Sequence, residues 1–150
     1  MDISADKQMK VTMILSDAAQ VAEGKLNVLG GGWNLTGPAP APFAIGIIFE
    51  IPWHLTNQKL KYRLELVDLD GVPVGVGPEA EPLAVEEEFE VGRPPGMRQG
   101  SYLPMPRAFN FGPMPLAPGN HYEWRLSIDG DTREHWRLGF STRAVIEPAA

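Results

Sequence analysis

The sequence predicts an all-β domain, an antiparallel Greek-key-like β-sandwich of about eight short strands. Three observations point there. Apolar and polar residues alternate with a period of two in segment after segment, the spacing that buries one face of a strand. The 150 residues include 16 Gly and 15 Pro, a density usual where many short strands are joined by many turns. No long amphipathic helix interrupts the pattern: the one helical window, residues 17–23, amounts to one or two turns.

The elements follow in chain order. Residues 10–15 read as a first strand with Val11, Met13 and Leu15 inward. After the helical window, residues 25–29 and 33–36 are short β segments separated by Gly30-Gly31-Gly32, which suits a bend or bulge. Residues 43–51 form a long strand with Phe43, Ile45, Ile47, Phe49 and Ile51 on one face, and Pro52 stops it. Leu60, Tyr62, Leu64 and Leu66 make an inward row opposed by Lys61, Arg63 and Glu65, ending at the turn Asp68-Leu69-Asp70-Gly71. Leu83, Val85, Phe89 and Val91 alternate with Glu86, Glu88 and Glu90, while Glu87 falls on the apolar parity; an edge strand protected by charge accounts for it. Residues 107–112, with Phe109 and Phe111, are a further strand candidate. Tyr122, Trp124, Leu126 and Ile128 alternate strictly with polar residues, and Asp129-Gly130 then signals a hairpin into Trp136, Leu138 and Phe140. The turn at Pro118-Gly119 just before Tyr122 resembles a tyrosine corner, whose hydroxyl bonds back across the turn.

Length allows one domain, residues 1–150, with residues 1–8 and 144–150 as flexible tails. The stretch 26–49 carries no charge, but its glycines and prolines would break a membrane helix repeatedly, so no membrane partner is expected. Net charge is −6 and no basic stripe offsets it, which argues against nucleic acid. The absence of cysteine excludes thiol catalysis and thiolate metal sites. The polar N-terminus lacks the apolar core of a signal peptide, so the expected location is the cytoplasm.

The run Asp17-Ala18-Ala19-Gln20-Val21-Ala22-Glu23-Gly24-Lys25-Leu26-Asn27-Val28-Leu29-Gly30-Gly31-Gly32-Trp33 resembles the opening signature of a family of small proteins of unknown function from actinobacteria and their phages. The resemblance extends through the Pro118-Gly119 turn and the Asp129-Gly130 hairpin. It implies a compact β-domain with no established activity, and a virion as a second possible location.

Candidate chemistry is sparse, and no cofactor is expected. The triple glycine lacks the third member of a dinucleotide fingerprint, and β alternation resumes after it, so no helix N-terminus receives a phosphate. No serine sits in a nucleophile elbow. Asp68 and Asp70 in one turn and Asp129 and Asp131 in another would offer hard oxygens to calcium if they converged at one end of the sandwich. The plainer reading is that Asp starts turns by bonding the backbone ahead. His121, Glu123 and His135 share a polar parity and form the one scattered enzyme-like set. What remains is the Pro-rich segment 92–106, which holds Arg93, Met97, Arg98, Tyr102, Leu103 and Met105, residue types enriched at protein interfaces. Its alternative is a loop that folds back over the sandwich end. The leading expectation is a non-catalytic module that self-associates or docks on a larger assembly.

Overall fold

The computed structural model describes residues 8–146. Its strands are β1 (Lys10–Ser16), β2 (Ala18–Ala22), β3 (Lys25–Leu29), β4 (Leu35–Thr36), β5 (Phe43–Ile51) and β6 (Leu60–Asp68). They continue with β7 (Gly75–Val76), β8 (Glu81–Pro82), β9 (Ala84–Phe89), β10 (Leu103–Phe111), β11 (His121–Ile128) and β12 (Asp131–Thr142). A single 3-10 turn, Trp53–Leu55, follows β5. A three-stranded sheet in the order β1-β5-β10 packs on a five-stranded sheet in the order β4-β12-β11-β6-β9. All pairings are antiparallel except that of β4 with β12. The expected all-β sandwich is the fold.

Its core is the sum of the inward parities. On β5, Ile45, Ile47, Phe49 and Ile51 are fully buried, facing Tyr62, Leu64 and Leu66 of β6 and Trp124 and Leu126 of β11. Burying each such side chain contributes about 1.5–3 kcal/mol. Aromatic rings tie the layers together: Phe49 lies 4.9 Å from Tyr62, and Phe111 stacks on Trp124 at 5.1 Å. The tyrosine corner is present, because the Ala117 amide donates to the Tyr122 hydroxyl at 2.9 Å.

The helical window is a correction. Residues 18–22 form β2, which pairs with β3 through a turn whose central residues, Glu23 and Gly24, are both left-handed (φ 52° and 71°). That is the hairpin geometry that matches strand twist. The alanines favour a helix locally, but the hairpin is bound by tertiary contacts. It lies across the outer face of β5 and β10. Asn110 of β10 bonds the Ala19 backbone twice, donating from Nδ2 to its carbonyl at 2.8 Å and accepting its N–H at 3.3 Å. Gly46 on β5 makes room for this layer, since a Cβ there would sit 3.0 Å from the Leu26 side chain.

Three further differences matter for the site. β10 begins at Leu103, not at residue 107, so part of the expected loop is strand. β12 begins at Asp131, directly after the Asp129-Gly130 turn, and Arg133 to Trp136 then bulge out opposite the single residue Leu126. The short β7–β8 pair was not foreseen at all. As for the tails, Gln8 is tied by its carbonyl to the Tyr102 hydroxyl, residues 144–146 are exposed coil, and residues 1–7 and 147–150 lie outside the described residues. Among the described residues no helix is long and apolar enough to cross a membrane.

Candidate functional site

The segment between β9 and β10 forms one wall of a groove. From Gly92 to Tyr102 the chain makes two consecutive turns, closed by bonds from Met97 N–H to the Pro94 carbonyl and from Ser101 N–H to the Arg98 carbonyl. Its base is anchored at Arg93. The guanidinium donates to Thr56 Oγ1 at 2.7 Å and to the Trp53 carbonyl at 2.9 Å, and lies 4.2 Å over the Trp53 ring. Planar guanidinium and flat ring make a rigid clamp. At the other end, Tyr102 donates to the Gln8 carbonyl and carries the Lys10 ammonium over its ring.

The groove has a volume of about 750 Å³ and is lined by Val91, Arg93, Pro94, Met97, Pro104 and Arg107, among others, within the size range of ligand and peptide clefts. The expected interaction residues therefore divide. Arg93 and Met97 line the groove, Arg98 is exposed beside Met97, and Tyr102 is half-buried. Leu103 and Met105 are a correction: their side chains lie on the inward parity of β10 and are 2% and 6% exposed, so they serve the core and only floor the groove.

Behind the groove the two sheets are pinned by charge. Glu87 of β9 and Arg107 of β10 both sit on inward parities and meet across the gap, with Arg107 donating from Nη2 at 2.7 Å and from Nε at 2.9 Å. Tyr62, opposite Glu87 in the β6–β9 ladder, donates its hydroxyl to the same carboxylate at 2.5 Å. The Arg107 hydrogen bond holds the Glu87 carboxyl below the usual range against a smaller opposing effect of burial. Burial, reinforced by the hydrogen bond to Glu87, pushes the Tyr62 hydroxyl upward, so it remains a donor. Glu87 was legible as the acid on the wrong parity; Arg107 and the Trp53–Thr56 platform under Arg93 were not singled out.

The acidic turns do not converge. Tyr122 pairs with Asp68 and Ile128 with Tyr62, so Asp68 and Asp129 stand at opposite ends of the β6–β11 ladder, about 20 Å apart at the rise of a strand. Asp68 holds its own turn, and Asp129 ties its turn to β6. Asp68 Oδ1 accepts the N–H groups of Asp70 and Val72, and Asp129 Oδ1 accepts that of Lys61. Asp131 opens β12 beside Asp129, far from Asp70. Among the described residues no group of three or more His, Asp or Glu is placed to hold a metal ion. The histidine set is separated as well: His121 faces Ser141, and its Nδ1 lies 3.0 Å from that hydroxyl, while His135 lies in the bulge opposite Leu126, at the other end of β11. Glu123 is engaged by Arg125.

Neither the curated proteins nor the solved structures contain a match to this sequence. A family model does match, across residues 11–140, and the chain belongs to that family, a family of unknown function (DUF6941).

Proposed function

We propose that the protein is a non-catalytic interaction module, which docks through the β9–β10 groove onto a protein partner within a larger assembly. The observation that carries this reading is the groove. It is open, part apolar, walled by Pro94 and Pro104, and edged by Arg93, with the exposed Arg98 next to Met97 in the chain. Prolines lower the ordering cost of binding, and Met and Arg are favoured interface residues. The site hydrolytic or metal chemistry would need is not assembled from the acids and histidines that the sequence offered. Cytoplasmic assemblies and virions both suit a net charge of −6 on a compact β-domain; the virion enters through the resemblance of the opening motif alone.

The test replaces residues 94–99 by a Gly/Ser stretch of equal length, leaving Arg93 and β10 intact. The tagged full chain is used to isolate a stoichiometric partner from lysate of its source organism, and the complex is rebuilt from purified components. The replacement is expected to abolish the rebuilt complex while shifting the melting temperature by only a few degrees. A rebuilt complex of unchanged affinity overturns the groove assignment.

A further inference from the structure

The two packed sheets have four edges, and an unpaired edge strand is a template for another strand. Three of these edges are guarded. β9 carries Glu86, Glu87 and Glu88 in succession. On β10 the outward main-chain positions start with Pro104 and Pro106, which have no N–H to offer. β4 is two residues long, and β12 beside it is broken by its bulge. β1 has none of these devices over Val11 to Ile14, where β12 of the other sheet approaches without pairing, and only its Leu15 end is covered, by Gly32. From Val11 to Leu15 it holds no charge, proline or glycine, and it keeps unbroken register with β5 from Lys10 opposite Glu50 to Ser16 opposite Ala44.

The direction of its main-chain groups follows from one bond. The Leu15 carbonyl accepts the Gly32 N–H from outside the β1–β5 ladder, so Val11, Met13 and Leu15 present their main chain outward while Thr12 and Ile14 bond β5. Among the described residues the outward N–H and C=O groups of Val11 and Met13 have no main-chain partner. Lys10 does not guard them, because its ammonium is drawn over the Tyr102 ring at 4.4 Å.

We propose that a second copy of this chain pairs antiparallel with β1 about a two-fold axis at Thr12. Val11 of each copy then exchanges both main-chain bonds with Met13 of the other, and the sheets join as β10-β5-β1-β1-β5-β10. The edge is self-complementary in charge as well as in hydrogen bonding. Lys10 falls opposite Ile14 and Thr12 opposite Thr12, a favourable cross-strand pair, so two chains of net charge −6 meet with no acid facing an acid. The same operation at β9 would set glutamates against glutamates. This pairing uses the strand opposite the groove and stands whether or not the groove binds a partner.

Two variants of the full chain test it. Thr12 would occupy a non-hydrogen-bonded pair, where Cα atoms approach to about 4.5 Å, a spacing a disulfide can span. The wild type has no cysteine, so Thr12→Cys under mild oxidation is expected to give a covalent dimer much faster than Glu88→Cys on the guarded edge. Thr12→Lys puts like charges on the axis and, with the circular dichroism spectrum unchanged, is expected to weaken the wild-type dimer about tenfold or more, read by sedimentation equilibrium. A wild type that stays monomeric across the micromolar range overturns the proposal. So does a dimer that tolerates Thr12→Lys, or cross-linking of Thr12→Cys no faster than the control; in both cases another surface or an unrelated extended peptide is the occupant.

Discussion

Along one side of the sandwich, β9 and β10 face each other across a gap, with glutamates on one strand, prolines on the other and an Arg107–Glu87–Tyr62 bridge between them. Along the other side, β1 lies against β12 with neither charge nor proline over Val11 to Leu15. The first side bridges its gap with polar side chains; on the second the strands come closer together, yet the Val11 and Met13 main-chain groups have no partner among the described residues. Edge protection is therefore local in this fold. A sealed edge can host a groove for side-chain recognition, whereas an open edge can recognise only another strand.

The largest effect is expected at the bridge. Glu87→Ala leaves the Arg107 guanidinium and the Tyr62 hydroxyl without their acceptor, and is expected to cost about 2–3 kcal/mol in urea unfolding; a loss below about 0.5 kcal/mol would show that the bridge does not hold the sheets. Next in size is an acid effect. The folded-state pKa of Glu87 is depressed, so its contribution is complete above the unfolded value of about 4.3 and is lost as pH falls through the folded value. Stability should therefore decline below about pH 4, and Glu87→Gln should flatten that decline; identical slopes would remove Glu87 from the acid transition. The smallest effect on stability, within about 1 kcal/mol, is expected for Pro104→Thr with Pro106→Val, which restores outward N–H groups to β10. Its readout is association: light scattering should show a concentration-dependent increase in mass that the parent lacks at that edge. Unchanged behaviour would mean that the prolines are not the guard.

Much of the fold was legible because strands write their faces at a period of two. The strand 43–51 was read with its observed bounds, and the inward rows of β6 and β11 and the tyrosine corner were read from the same local rules. The errors share a cause. Residues 18–22 look helical because alanine prefers helix, yet they pair with residues 25–29, and Asn110, far along the chain, holds that hairpin against β10. Leu103 and Met105 looked like surface because prolines surround them, yet those prolines fall on the outward edge of β10, where a missing N–H breaks no ladder bond. Of the site, the loop and Glu87 could be found, the latter as the acid on the wrong face. The groove itself could not be found, since it exists only where two separate edges meet.

Fold class, the inward faces of the long strands and the turns at Asp68 and Asp129-Gly130 are written in the sequence, because alternation and turn chemistry act between near neighbours. Tertiary structure alone decided which edges are exposed, that the two acidic turns stand at opposite ends of β6 and β11, and that Arg107 meets Glu87. Those outcomes depend on the pairing of strands distant in the chain, and a period-two pattern says which face is buried but not which strand lies alongside.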